Sequence, residues 1–375
     1  MEIIKVLHLS TGRSWRGGEN QLRFLLKGLQ GRGIESHVLV QPGTPLSRKF
    51  SDYATVHETR MRNDMDLFAV FRIAVLCEKN AFEVIHAHTA RGHLLALLAK
   101  KIIRSRGNPA PRLVVHRRSE HRGAFSFIDR WKYLNEDVDL FICISKAIAE
   151  GLRACGIMAE RLQVVHSAVD PRPHSNYAAQ RTAVREEFNV AADQPVVCCV
   201  AAMEKLKGVD VLLQAWKVLA EKGFSGKLVM IGEGALLEKL REYVRKSGLA
   251  GSVLFTGFRE DVQRLMAGSD ILALPTLSEG LGTVLLDGLL AGCALVASDV
   301  GGVPEVVIDQ TTGILVPPGD PAALVKAIER LAGDPGLRGE LVNAGRRLIE
   351  SQFSIEDMVE KTCQIYKDLG SIHSR

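Results

Sequence analysis

Residues 272–307 read LALPTLSEGLGTVLLDGLLAGCALVASDVGGVPEVV. An apolar strand, Ile271 to Leu274, is stopped by Pro275, and the acidic Glu279 follows in the glycine-punctuated turn Glu279-Gly280-Leu281-Gly282. A helix comes next, with Val284, Leu285, Leu289 and Leu290 spaced to pack on a sheet, then a second strand, Ala294 to Ala297, and the turn Gly301-Gly302. Two successive strand–loop–helix units with glycine at each strand's carboxyl end describe a parallel sheet whose ligand crevice lies on that side. A helix starting at Gly282-Thr283 offers free backbone N–H groups and a positive dipole end to an anion. Glu279 sits beside that start and Asp287 lies in the second turn. A phosphate cradle flanked by two carboxylates suits a sugar nucleotide.

The 375 residues are too many for one ordinary core, and two domains are expected. Apolar residues make up 46% and charged ones 24%, a globular balance. No apolar run approaches the roughly 20 residues of a membrane span, and MEIIKVLHLS reads as a strand rather than a signal peptide. Seven cysteines without a C-x-x-C pair argue for reduced thiols in a cytoplasmic protein. The net charge of +5 is unevenly spread: up to Ala168 there are 26 Lys and Arg against 16 Asp and Glu, and beyond it 22 against 27. A basic first half suggests an anionic partner, either a phosphorylated acceptor or an acidic membrane surface, against the plainer reading of a solvated face. With 6% aromatic residues and no basic, aromatic-interleaved stripe, a nucleic-acid partner is not expected.

The amino-terminal run Ile3–Leu9 suits a buried parallel strand. It leads into Ser10 to Glu19, with Gly17-Gly18, and a helix from about Asn20 to Gln30, again a phosphate-approach geometry. Strands are readable at Ser36–Val40, Val84–His88, Leu113–His116, Leu140–Ser145 and Gln163–His166, alternating with helices such as Asp66–Lys79, His93–Arg104 and Lys146–Ala154. Such alternation makes a doubly wound sheet. His86 and His88 share one strand face. With His93 they read as polar groups lining a crevice, since nothing in the sequence completes a metal-ligand set. His116 ends another strand, and Arg117, Arg118, His121 and Arg122 crowd after it as candidates for an acceptor phosphate or carboxylate. Asp137-Val138-Asp139 precedes its strand, the wrong end for a metal-binding D-x-D, and no metal is expected. Basic helical segments at Lys100–Arg106 and Arg130–Tyr133 either meet acidic headgroups or are solvated.

The stretch 272–307 resembles the donor-binding core of the retaining glycosyltransferases of family 4, the group 1 transferases of GT-B fold. Their signature is Glu-x7-Glu, here Glu279 and Asp287, with Asp in place of the second Glu. Gly17-Gly18 matches their first strand–helix loop, close to the donor diphosphate, and His116 their strand-end histidine near the donor sugar and acceptor. Val164 to Asp170 resembles their interdomain hinge, although His166-Ser167-Ala168 departs from P-N-G. Ala202-Met203-Glu204-Lys205-Leu206-Lys207-Gly208, after a strand at Val196–Ala201, resembles G-R-L-x-x-x-K-G: Lys207 is kept, but Ala202 stands where the family has Arg. Lys205, or Arg13 or Arg16, is the expected replacement for that charge. Gly232 and Gly234 after the strand Lys227–Ile231, and Phe258 and Arg259 after Leu254-Phe255-Thr256-Gly257, match positions beside the nucleotide and its base. Gly313 to Asp320 resembles the family's G-x-L-V-x-P-G-D ending.

The resemblance implies an α/β GT-B fold of two doubly wound Rossmann-like domains facing a central crevice. The expected division is 1–168, a linker 169–182, a donor domain 183–354, and a helix, 355–375, returning to the first domain. It implies transfer of a sugar from a nucleotide-diphosphate sugar to a hydroxyl with retention, without cofactor or metal. Glu279 would meet sugar hydroxyls, Asp287 the ribose, Lys207 with the Gly280 to Thr283 turn the phosphates, and His116 the reacting carbon or acceptor. His88, Arg117 and Arg118 would face the acceptor, for which a lipid-linked or lipopolysaccharide-type glycan at the inner membrane surface is expected. The rival expectations are a GT-B-fold sugar-nucleotide epimerase and a catalytically weak nucleotide-sugar-binding scaffold subunit.

Overall fold

The computed structural model describes residues 3–120, 126–171 and 177–370. The chain divides into two compact units, one comprising Met1–Ala168 with Phe353–Arg375 and the other Val169–Gln352. Among the described residues, no helix is long and apolar enough to cross a membrane.

In the first unit, strands β1 (Ile4–Leu9), β2 (Ile34–Val40), β3 (Thr55–Glu58), β4 (Val84–Ala87), β5 (Arg112–Arg117), β6 (Leu140–Cys143) and β7 (Leu162–Val164) form one sheet. Its order is β3-β2-β1-β4-β5-β6-β7, and the pairings are parallel. The helices between them are α1 (Gly17–Leu29), α2 (Pro45–Phe50), α3 (Leu67–Asn80), α4 (Ala90–Ser105), α5 (Phe127–Tyr133) and α6 (Lys146–Ala154). The order reverses between β1 and β4, and a parallel sheet opens a crevice at that point outside its strands' carboxyl ends. The edge strand β3 escaped the sequence reading because Val56 is its one apolar side chain, too little for a period to show.

The second unit begins with α7 (Tyr177–Glu187), which starts inside the stretch expected as linker. Its sheet has the order β10-β9-β8-β11-β12-β13, with β8 (Val196–Val200), β9 (Lys227–Ile231), β10 (Val253–Gly257), β11 (Ile271–Leu274), β12 (Ala294–Ser298) and β13 (Ile314–Val316). Helices α8 (Val209–Glu221), α9 (Leu237–Lys246), α10 (Val262–Ala267), α11 (Thr283–Ala291), α12 (Pro321–Gly333) and α13 (Pro335–Gln352) pack around it. Every residue of β11 and β12 is buried, as strands covered on both faces require. Asp320 caps α12 by accepting from the amides of Ala322 and Ala323, with Pro321 at the first helical position where its missing N–H costs nothing. The last helix, α14 (Ile355–Gly370), packs on α1, β1 and β4 of the first unit through Met358, Val359, Cys363 and Tyr366.

Candidate functional site

In the second unit the reversal falls between β8 and β11, and the loops leaving those strands meet there. The loop after β8 carries Lys207 and the loop after β11 carries Glu279, whose Oε2 accepts from Lys207 Nζ at 2.7 Å. The two loops are stitched together: Leu277 N–H donates to Leu206 C=O at 2.8 Å, and the Thr276 hydroxyl lies 3.2 Å from the same carbonyl oxygen. Gly208 makes this approach possible. Its φ is +61°, and a Cβ there would lie 1.9 Å from the carbonyl oxygen of Pro275. Ala202, Lys207, Leu274, Glu279, Gly282 and Thr283 line a cavity of about 240 Å³. Gly282, at φ +79°, precedes the first turn of α11, so the helix opens onto the same cavity. Lys207 and Glu279 keep 29% and 20% of their side-chain surface, enough to meet a ligand while paired.

Other candidates of the donor set lie in the same unit with differing surroundings. Asp287 is partly buried in the second turn of α11. Gly232 and Gly234 serve loop packing: Cβ atoms there would come within 2.1 Å of Ala201 O and 2.6 Å of Met203 O. Phe258 is 66% exposed. Arg259 is engaged with both carboxylate oxygens of Asp261 at 2.8 Å and with Glu187 at 2.8 Å, so its guanidinium braces its own loop rather than waiting for a base. Lys205 is exposed on the short turn Lys205–Lys207 and is not among the residues lining the cavity. Arg13 and Arg16 are exposed in the loop after β1 of the first unit, with Arg16 Nε donating to Ser14 Oγ at 3.2 Å.

The first unit gathers histidines at its own switch point. The parallel register sets His8 of β1 directly beside His86 of β4, and one step past the last β4–β5 pair His88 comes beside His116. His8 Nδ1 lies 3.1 Å from His88 Nε2. The rings of His86 and His88 are 4.0 Å apart, and that of His116 is 5.3 Å from His86 and 5.6 Å from His88. Tyr366 of α14 reaches His86 Nδ1 at 2.5 Å. Burial first, then neighbouring cations and histidines, holds His86, His88 and His116 well below the ordinary imidazole range and brings His8 to about 3, so all four are neutral. The expectation that nothing completes a ligand set around His86 and His88 is therefore corrected: His8 does, from a strand 80 residues away. A histidine inside the apolar run IKVLHL was the signal for it. His93 does not join; it packs between Tyr133 and Phe141, 5.2 and 5.9 Å away.

Arg118 is half-buried beside Gly18, where a Cβ would lie 3.5 Å from Arg118 Cδ. Desolvation lowers its pKa to about 10 against the pull of Glu19, leaving it charged. Arg117 turns the other way, donating to Tyr133 Oη at 2.5 Å and to Ser119 C=O at 3.2 Å, so it is removed from the acceptor-facing set. His121 and Arg122 lie outside the described residues. The cations expected to form a basic membrane face are largely spent on acids. Lys100 and Arg112 hold Asp139, Lys101 and Arg104 hold Asp137, and Arg106 holds Glu78. Asp137 and Asp139 thus anchor the amino end of β6.

The sequence profile of the group 1 glycosyl transferases matches residues 180–348, and that of glycosyltransferase family 4 matches residues 15–172. The alpha-D-kanosaminyltransferase of Streptomyces kanamyceticus is 30% identical over 60% of this chain and 59% of its own length, so the chain spans about three-fifths of that relative. LpsE of Rhizobium meliloti, a lipopolysaccharide core biosynthesis glycosyltransferase, is 24% identical over 96% of this chain and 98% of its own. Among solved structures, Anabaena HepE in complex with UDP aligns over 97% of this chain and 100% of its own with a TM-score of 0.85 and 20% identity, a likeness of fold.

Proposed function

Because the chain belongs to the group 1, family 4 glycosyltransferases and carries their GT-B fold, we propose that it moves a sugar from a nucleotide-diphosphate donor to an acceptor hydroxyl. The acceptor is a cell-envelope glycan or lipid-linked glycan, and the anomeric configuration is retained. The observation that carries this reading is the Lys207–Glu279 pair at the open amino end of α11.

The Thr283 and Val284 amides that open α11 and the Lys207 ammonium balance the charge that develops on the departing diphosphate, in a cavity where fixed dipoles need not reorganise. Glu279, oriented by Lys207, accepts from the sugar's hydroxyls, and Asp287 accepts from the ribose. Phe258 stacks on the base, and the backbone at Gly232 and Gly234 follows the nucleotide. His116 and Arg118 belong to the acceptor side, where Arg118 meets an anionic group. The leaving phosphate takes the acceptor proton, so no separate base is required. Cationic side chains and a helix end replace a metal at the diphosphate, and nucleoside diphosphate affinity is then the same with magnesium or with chelator.

A membrane-held acceptor is supported by apolar exposure rather than by bulk charge. Phe68 and Phe127 are each 86% exposed, with Leu67, Phe71, Ile128 and Trp131 also exposed, on α3 and α5. Arg106, just past the end of α4, and Lys101 on α4 lie 4.9 Å from Phe71 and 6.0 Å from Trp131 while paired with Glu78 and Asp137. Exposed aromatic side chains suit a headgroup boundary.

Thermal shift against a panel of nucleotide sugars identifies the donor, since a ligand at a hundred times its Kd adds about 2.7 kcal/mol of stability. Transfer from that donor to envelope lipid extracts then follows, with the product's anomeric configuration read by NMR. A panel without any stabilising donor refutes the reading, and conversion of the donor in the absence of acceptor replaces transfer by epimerisation.

A further inference from the structure

The histidine cluster of the first unit is not required by the donor chemistry, and its geometry has a use of its own. One ring nitrogen from each of His8, His86 and His88 lies within 4.8 Å of the other two. The 3.1 Å between His8 Nδ1 and His88 Nε2 is near the edge of about 3.3 Å that nitrogen bonds of about 2.0–2.1 Å set in a tetrahedral site. We propose that His8, His86 and His88 bind one divalent ion of the borderline class, zinc, cobalt or nickel, with His116 beside the fourth position.

The donor set selects that class. Three imidazoles without a carboxylate suit zinc, cobalt and nickel, whereas magnesium and calcium take oxygen ligands. All three side chains are buried to at least nine-tenths. Among the described residues His86 Nε2, the nitrogen that would face the ion, and both nitrogens of His116 have no hydrogen-bond partner, whereas buried polar atoms are ordinarily paired. Tyr366 Oη lies 2.5 Å from His86 Nδ1; in the tautomer protonated at Nδ1 the ring donates to that oxygen, which leaves the Nε2 lone pair to the ion and fixes the ring's orientation.

The proton balance closes within the cluster. Of His8 Nδ1 and His88 Nε2, one holds the proton they share, and ion binding moves it to the other nitrogen of the same ring. His8 Nε2 or His88 Nδ1 receives it, and no proton is lost. The bound ion would tie β1 to β4 across 80 residues of sequence and, through His86 and Tyr366, to α14 across 280. This places it as a fastener of the first unit, distinct from the donor site of the second.

The full chain, stripped with chelator and dialysed, is titrated with zinc by calorimetry and with cobalt by visible absorption. The expected result is one ion per chain with a tetrahedral cobalt spectrum. His8→Asn and His88→Gln should each weaken binding by more than about a hundredfold, and Tyr366→Phe, which removes the partner of His86 Nδ1, by roughly tenfold to a hundredfold. His57→Gln, a change at a partly buried histidine on β3 away from the cluster, should leave it unchanged. Absence of binding by the native chain, or undiminished binding by folded His8→Asn, overturns the proposal. Should the variants fail to fold, X-ray absorption of the zinc-loaded native chain decides. Three imidazole nitrogens at about 2.0 Å support the site, whereas sulfur at about 2.3 Å or an oxygen-rich shell overturns it.

Discussion

Gly208→Ala tests whether the donor site depends on the contact between the two loops that carry Lys207 and Glu279. At φ +61° the new side chain sits in the left-handed region, and its Cβ falls 1.9 Å from Pro275 O, where real Cβ atoms essentially never come closer than 3.0 Å. The conformation costs about 1–2 kcal/mol, and forcing the loops apart by roughly 1 Å adds about 1–3 kcal/mol, as overpacking does. For a unit of this size, 1 kcal/mol moves Tm by about 2–4 °C, so the expected loss is roughly 4–20 °C. The shift falls beside Lys207, whose 2.7 Å contact with Glu279 does not survive it. Misplacement by about 1 Å costs about a hundredfold in rate. Gly223→Ala is the control, with φ +84° and nothing within 4 Å of its Cβ. It should cost about 1–2 kcal/mol and no activity. Calorimetric melting and initial transfer rates for both variants decide the matter. Equal Tm losses, or native transfer by Gly208→Ala, would refute the reasoning.

Glu279→Gln should abolish transfer while leaving donor binding nearly intact. Asp287→Asn should weaken donor binding by about 1.5–3 kcal/mol, the worth of a hydrogen bond to a charged group, as calorimetry can measure. An unchanged affinity would shrink the two-carboxylate picture to one. Because Ala202 stands where the family has Arg, one of Lys205→Ala, Arg13→Ala and Arg16→Ala should lower kcat by at least about tenfold. Native turnover in all three would remove compensation as the explanation. Acid should destabilise the chain, because His8, His86, His88, His93 and His116 are held neutral by burial while folded. Unfolding lets each take a proton below about pH 6.5, so their contribution is full above that pH and falls by about 1.4 kcal/mol per histidine for each unit below it. Urea midpoints that coincide at about pH 7.5 and about pH 5.5 would contradict this.

The donor half of the site was legible because its determinants are local. Pro275 ends a strand, Gly282 opens a helix, and Lys207 and Glu279 each lie within a few residues of a strand end, so chain direction alone carries them to one edge of a parallel sheet. The histidine cluster was only half legible. Spacing put His86 and His88 on one face, but the strand order that sets β1 against β4 brings in His8, and the return of α14 brings in Tyr366. Arg117 and Lys100 were misread for the opposite reason. A cation's sequence neighbours do not reveal that a Tyr133 or an Asp139 lies close by in space.

By itself, then, the sequence determined the α/β class, the two sheets and the glycine turns, because strand period, helix period and turn chemistry are properties of short segments. Only the tertiary structure decided which charges remain available to a ligand and which are spent on the fold. It also decided that four neutral imidazoles share one buried place, because strand order sets His8 beside His88 from 80 positions away.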